Sequence, residues 1–245
     1  MTAPSTHATP ADPPPPLALR AARAGYGRIE ILHGIDLVVR RGEVTALLGP
    51  NGAGKTTALN VMSGLLKPTD GCRHVAGRHL NDADADALAR LGIRHIREGR
   101  SVYPNLSVDD NLLVATSSVG SADRIRDVAF TLFPTLKDRR TQLAGTLSGG
   151  EKQMLALARG LGADPAVLLI DELSMGLAPL VVAKLYDLVA DVARAGLSVF
   201  VVEQFATLGL RYASHAYVMT NGKVTYDGPS AKALDAVHAA YLGAA

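Results

Sequence analysis

The stretch Gly49-Pro50-Asn51-Gly52-Ala53-Gly54-Lys55-Thr56-Thr57 fits the pattern G-x-x-x-x-G-K-[ST], with Gly49, Gly54, Lys55 and Thr56 in the fixed places. Glycines let a backbone curl until successive N–H groups face one anion. A helix starting directly afterwards adds unpaired N–H groups and the positive end of its dipole. Lys55 contributes a full charge near terminal phosphates, and Thr56 offers a hydroxyl to Mg²⁺. Together they describe a phosphate-binding loop. A second stretch, Leu147-Ser148-Gly149-Gly150-Glu151, carries S-x-x-E spacing, which suits a plain capped helix. Two consecutive glycines exceed what a cap needs, and they clear room for an anion at a helix start. A third feature is the apolar run Val167-Leu168-Leu169-Ile170, which ends in Asp171-Glu172. Carboxylates at the C-terminal end of a parallel strand face the ligand crevice of an α/β sheet. An Asp at that point holds Mg²⁺ opposite the loop hydroxyl, and an adjacent Glu orients or deprotonates an attacking water. Tyr26 stands among glycines ahead of the loop. Its ring stacks on a nucleobase or is an ordinary surface tyrosine; the residues alone leave both readings open.

These groups need elements to place them. Val44–Leu48 reads as a buried strand running into the loop, and Thr57–Leu66 as the helix leaving it. Leu17–Val44 reads as short strands with turns at Gly25–Gly27 and Arg41–Gly42. Cys72–Ala76 reads as a strand, Ala83–Leu91 as a short helix and Ile93–Ile96 as a strand leading to Arg97-Glu98-Gly99-Arg100. Residues 101–146 have a helical texture, with one helix from Ser107 through Ala115 and another from Ser121 to Phe133. A helix follows the diglycine from Lys152 to Leu161, and another spans Ala178 to Ala195. Ser198–Val202 is a buried strand ending in Glu203-Gln204. A helix over Phe205–Tyr212, strands over Ala216–Thr220 and Lys223–Asp227 joined by Asn221-Gly222, and a packing helix over Ser230–Tyr241 complete the order.

The 245 residues can bury a substantial core, and 48% hydrophobic with 20% charged residues is an ordinary globular balance. A net charge of +2 is close to neutral and gives no argument for a nucleic-acid surface. The single cysteine, Cys72, rules out an internal disulfide and suits a reducing compartment. No apolar run approaches the roughly 18 residues that span a bilayer, and no secretory signal is evident. A role at a membrane therefore calls for docking onto other proteins. Residues 1–16, ending in four prolines, are too poor in apolar side chains to fold and read as a disordered or PPII-like tail. No metal-ligand spacing appears among the seven histidines.

A phosphate loop, then L-S-G-G-E, then an apolar strand ending in Asp-Glu resembles the ATP-binding cassette family, and the five-residue signature is the specific part. The resemblance covers residues 17–243 and implies an α/β, P-loop NTPase core with a mixed or parallel sheet. It further implies an N-terminal antiparallel β subdomain and an α-helical subdomain inserted at about 101–162. ATP and Mg²⁺ are the implied cofactors. The family also implies a head-to-tail pair of cassettes, with each ATP between residues 49–57 of one chain and Ser148, Gly149, Gly150 and Glu151 of the other.

Finer marks resemble the shorter ATPase subunit of the hydrophobic and branched-chain amino-acid importers. They are Glu98-Gly99-Arg100 where most cassettes carry glutamine, Gly176-Leu177-Ala178-Pro179, Val202-Glu203-Gln204 where most carry histidine, and Ala240-Tyr241-Leu242-Gly243. Urea importers of the same branch share much of this. By position, the resemblance gives Tyr26 the adenine, Glu98 an approach to Mg²⁺ and the attacking water, Gln204 the terminal phosphate and Glu172 the catalytic step. Gln204 cannot ionise, so hydrolysis should show no pH step from a switch imidazole. Leu173 replaces the usual proline after Asp171-Glu172, which loosens the turn. The implied setting is the cytoplasmic face of a membrane. The implied partners are two permease subunits, a second cassette (a heterodimer, with a homodimer as alternative) and an extracytoplasmic solute-binding protein. A permease helix is expected to dock in the groove near Arg100–Asn111. The rival readings are a soluble non-transport cassette ATPase and a regulatory module that no longer hydrolyses ATP.

Overall fold

The computed structural model describes residues 13–99, 101–114 and 122–242. Two sheets organise these residues. The smaller sheet is antiparallel and contains β1 (Leu17–Tyr26), β2 (Ile29–Val39), β4 (Asp70–Val75) and β5 (Arg78–His79), in the order β2-β1-β4-β5. The larger contains β3 (Val44–Leu48), β6 (Ile93–Ile96), β7 (Val167–Asp171), β8 (Ser198–Glu203), β9 (His215–Thr220) and β10 (Lys223–Pro229), in the order β10-β9-β3-β8-β7-β6. All its neighbours are parallel except the β9–β10 hairpin. Strands β3, β7 and β8 are buried along their whole length, which explains why they read as continuous apolar runs rather than alternating ones.

One apolar core lies between the two sheets and around α1 (Lys55–Met62) and α2 (Ala85–Arg90). The other lies on the opposite side of the large sheet. There α3 (Val108–Val114), α4 (Ala122–Leu132), α5 (Pro134–Asp138) and α6 (Gly149–Gly162) pack with α7 (Pro179–Arg194), α8 (Ala206–Tyr212) and α9 (Leu234–Leu242).

Several expectations shift. Helix α1 starts at Lys55 and stops at Met62, because Ser63 and Gly64 turn the chain before Leu66. The first two strands are long, at 10 and 11 residues; bulges in β1 interrupt the alternation that would have marked them. β5 is two residues and α5 five, too short to leave a periodic signal. Ala115, Ser121, Arg100 and Gly243 lie outside the described residues, as does most of the tail. Pro14 and Pro16, however, are held. Their carbonyls accept from Arg41 (2.9 Å) and the Ala76 N–H (3.0 Å). Asn221 and Gly222 both have positive φ, as a type I′ hairpin requires.

Candidate functional site

Register brings the chemistry to one edge of the large sheet. Leu48 sits opposite Glu203, Val202 opposite Asp171, and Ile170 opposite Ile96. The segments that leave these strand ends, starting at Gly49, Arg97, Glu172 and Gln204, therefore emerge side by side. This is the crevice where open α/β sheets bind ligands.

Gly49 has φ 149, and a Cβ there would lie 2.1 Å from the Met219 carbonyl, so only glycine fits. The loop closes through Ala53 N–H to Pro50 O (3.2 Å) and is tied to the β9–β10 turn by Gly222 N–H to Ala53 O (3.0 Å). Helix α1 has no side-chain cap at Gly54, so its first N–H groups remain available to an anion. Lys55 is buried, and its ammonium donates to the carbonyls of Gly49 (2.7 Å) and Pro50 (3.0 Å). Burial lowers its pKa, opposed by the charges of Glu172, Asp171 and Glu203. Tyr26, Asn51, Gly52, Lys55, Thr56 and Glu172 line a hollow of about 240 Å³. Tyr26 is half-exposed there, and its hydroxyl is anchored by the Asn60 amide at 3.1 Å.

Asp171 is 4% exposed, and its Oδ1 has no hydrogen-bond partner. Burial, then Glu172 and Glu98, pushes its carboxyl up to about 6; the Thr56 hydroxyl and Lys55 oppose this. Glu172 is raised by burial and by Glu98. Its φ of 48 is left-handed, a conformation non-glycine residues rarely take. Its N–H bonds the Val202 carbonyl at 3.0 Å. The orphaned, buried oxygen of Asp171 and the neighbouring Thr56 hydroxyl are oxygen donors of the kind a hard divalent cation takes, and the Glu98 charge helps raise both Asp171 and Glu172.

The turn after Glu172 is not loosened by Leu173. Its side chain is buried at 1% exposure, and the next residue is clamped. Ser174 donates to Glu203 through its N–H (3.2 Å) and hydroxyl (2.7 Å), and the Tyr186 hydroxyl donates to the same carboxylate. Glu203, at 1% exposure, thus links the strand carrying Gln204 to the segment after Asp171-Glu172. Sequence reasoning gave it no role, although a carboxylate closing a buried strand is the same signal that marked Asp171. Tyr241 stood in sequence only as part of the Ala240–Gly243 mark, with no role at the site. Its hydroxyl lies between the carbonyl oxygens of Gly49 (3.0 Å) and Gln204 (2.5 Å) and donates its one hydrogen to either, so the terminal helix packs against both the loop and the Gln204 segment.

Ser148 caps α6 in a full capping box. Its hydroxyl donates to Glu151 Oε2 (2.8 Å), its N–H donates to the same oxygen (2.9 Å), and the Glu151 N–H returns to Ser148 Oγ (3.3 Å). Arg139 adds an ion pair to Glu151 at 2.7 Å. Gly150 has a reason beyond room for an anion: a Cβ would meet Val181 at 3.0 Å. Gly149 lines a second hollow of about 260 Å³ with Arg97, Glu98, Ser101, Lys152 and Met175, separate from the loop's hollow. Beside it Tyr103 is exposed under the Arg159 guanidinium, 4.8 Å from its ring centroid. Asn111 cannot contribute to a docking surface. It is fully buried, and its amide is spent on Tyr103, Leu106 and Ser107 backbone groups.

Fold and site together define a phosphate-loop, nucleotide-binding α/β protein. The ABC transporter family profile matches residues 32–174. The chain is 38% identical over 222 residues to the high-affinity branched-chain amino acid transport ATP-binding protein BraG of Pseudomonas aeruginosa, covering 89% of this chain and 95% of that protein. It is 33% identical over 216 residues to the probable branched-chain amino acid transport ATP-binding protein LivF of Archaeoglobus fulgidus, covering 86% and 91%. An ATP-binding cassette of an ABC transporter superposes with TM-score 0.83 at 24% identity, over 93% of this chain and 98% of that one. The chain belongs to the ABC transporter family, as one of its ATP-hydrolysing, nucleotide-binding subunits. Among the described residues, no helix is long and apolar enough to cross a membrane.

Proposed function

We propose that this chain is the ATPase subunit of an importer for branched-chain or other hydrophobic amino acids. The observation that carries this is the similarity to BraG along nearly the whole of both chains. Residues 17–243 form the cassette, with the helical insert at about 101–162. Tyr26 stacks on adenine. The N–H groups and lysine of Gly49–Thr57 hold the phosphates, Lys55 exchanging loop carbonyls for phosphate oxygens. Thr56, Asp171 and Glu98 are the residues to hold Mg²⁺, which when bound neutralises charge on the β- and γ-phosphate oxygens. Glu172 accepts the proton of the attacking water; its raised carboxyl makes it a stronger base than an ordinary glutamate. Gln204 contacts the terminal phosphate by its amide.

Ser148, Gly149, Gly150 and Glu151 complete the site of a second cassette. Their hollow is separate from the loop's within one chain, which favours a site shared between two. Met175, which lines that hollow, and Phe205, next to Gln204, are both more than half exposed and serve as apolar contacts for that partner. Two permease subunits partner the pair of cassettes at the cytoplasmic face of the membrane, a permease helix docking in this chain's groove near Arg100–Asn111, over Val102 and Tyr103, and a solute-binding protein delivers the solute outside.

The test is co-purification with the permeases and second cassette, reconstitution, and ATPase stimulation by loaded binding protein across hydrophobic amino acids and urea. Stimulation by hydrophobic amino acids is expected, and Glu172→Gln should cut hydrolysis by about 10²–10⁴ while ATP still binds. Response to urea alone would overturn the solute assignment. Full turnover by Glu172→Gln would overturn the base.

A further inference from the structure

The fold gathers three residues whose spacing in sequence shows no ligand pattern. Cys72 and His74 are two apart in β4 and so point to one side of the sheet. His79 is the register partner of His74 across the β4–β5 hairpin and shares that side. One ligand atom from each of the three lies within 4.8 Å of the other two. We propose that Cys72, His74 and His79 form a binding site for one borderline divalent transition-metal ion, of which Zn²⁺ is the type.

The donor set decides the class of ion. One thiolate and two imidazoles suit Zn²⁺ and its neighbours, whereas Mg²⁺ and Ca²⁺ want oxygen. Zinc with ligands at about 2.0–2.3 Å sets tetrahedral donor atoms about 3.4–3.7 Å apart. Closing from the present spacing takes side-chain shifts of about an ångström. The two imidazole rings stand 83° apart with centroids at 5.6 Å, so they do not stack, and their edges can address a common point. Among the described residues, none of the three side chains is taken up by a hydrogen bond or ion pair. On binding, the thiol releases its proton to solvent, and the fourth position stays open to water.

The platform is fixed. On the inner side of β4, Arg73 is fully buried and donates to the carbonyls of Val61 (2.6 Å) and Leu80 (2.7 Å). The two-residue turn Ala76-Gly77 has positive φ at both positions, which sets the hairpin register. Arg20, in register with Cys72, is drawn towards Asp36 at 3.9 Å. The site is distinct from the nucleotide hollow. His74 pairs with Ala18, and Tyr26 lies further along the same strand, about 25 Å away at the rise of a strand. A bound ion bridges β4 to the short edge strand β5.

The experiment uses the full chain, stripped by chelator and kept in excess Mg²⁺ to mask the carboxylates at the strand ends. Zn²⁺ is titrated against a chromophoric competitor, and Co²⁺ serves as the optical probe. One equivalent of Zn²⁺ should bind and raise the melting temperature. His79→Ala and His74→Ala should each weaken binding at least about tenfold. Cys72→Ser should abolish the thiolate-to-cobalt charge-transfer band. Because His79 is exposed, its replacement leaves the fold intact, checked by circular dichroism and retained ATP binding. Equal Zn²⁺ affinity in wild type and His79→Ala, or cobalt bound without a thiolate band, would overturn the site.

Discussion

His95 offers a quantitative test of how the sheet is packed against the loop helix. It lies on β6, and its Nδ1 is 3.0 Å from the Ser63 hydroxyl at the end of α1; its Nε2 is buried without a partner. Burial first, and the Arg97 charge second, push its pKa from 6.5 to about 4. As pH falls below 6.5, the unfolded chain takes up a proton that the folded chain refuses. Stability is therefore lost between 6.5 and about 4, and the loss is complete below that. The full gap is about 2.5 units, or about 3 kcal/mol; between about pH 7.5 and about pH 5 the linkage gives about 2 kcal/mol. Asp171, Glu172 and Glu203 have raised carboxyls and act with the opposite sign, holding protons in the folded state as pH falls. The comparison must therefore be with His95→Asn, which keeps a hydrogen-bonding group beside Ser63 and does not titrate. Urea midpoints at both pH values should show wild type losing about 2 kcal/mol more than the variant. Parallel losses, within about 0.5 kcal/mol, would refute the assignment of a buried neutral imidazole.

Other perturbations follow from the same geometry. Glu203→Leu strands the Tyr186 hydroxyl and the Ser174 donors, at about 1–3 kcal/mol for each unsatisfied group. Adding Tyr186→Phe should recover part of that loss, and a double-mutant cycle by thermal melting measures the coupling. Tyr241→Phe removes the hydroxyl between Gly49 and Gln204. A loss of about 1 kcal/mol would appear as roughly fivefold weaker ATP binding by titration calorimetry. Gly49→Ala places a Cβ 2.1 Å from the Met219 carbonyl; it should abolish nucleotide binding while far-ultraviolet dichroism stays near wild type.

What the sequence discloses here follows a physical line. Phosphate chemistry is written in consecutive residues, so Gly49–Thr57 and Ser148–Glu151 can be read directly. The parallel strands are legible because burial on both faces makes β3, β7 and β8 uninterrupted apolar runs. Contacts that depend on register between distant strands are not written locally. The carboxylate of Glu203 meets Ser174 and Tyr186 only because β7 and β8 are neighbours and α7 covers them. Cys72, His74 and His79 meet only because a two-residue edge strand folds back on β4. The contact from Tyr241 spans 192 positions to Gly49. Gly150 shows the reverse case: a residue visible in sequence for one reason is held by another, the close approach of Val181.

The two proposed halves of the nucleotide site share one energetic device. Lys55 is not left as a bare buried cation; its ammonium already has the carbonyls of Gly49 and Pro50. The Ser148 hydroxyl is likewise engaged, donating to the Glu151 carboxylate. Each group can therefore exchange one acceptor for a phosphate oxygen instead of being desolvated for the first time on binding. For Lys55 the exchange is favourable, since a neutral carbonyl gives way to an anionic oxygen and a charge-assisted bond is roughly twice as strong. For Ser148 one anionic acceptor replaces another, so the gain is small. Affinity should then reside in the phosphate loop, while the signature turn contributes mainly when a second cassette brings it within reach. Ser148→Ala is accordingly expected to leave ATP binding by the isolated chain within about twofold and to weaken ATP-driven dimerisation of an Glu172→Gln background by about tenfold, read by sedimentation. A tenfold loss of ATP binding in the isolated Ser148→Ala chain would show that the serine serves its own chain's nucleotide, against a site shared between two.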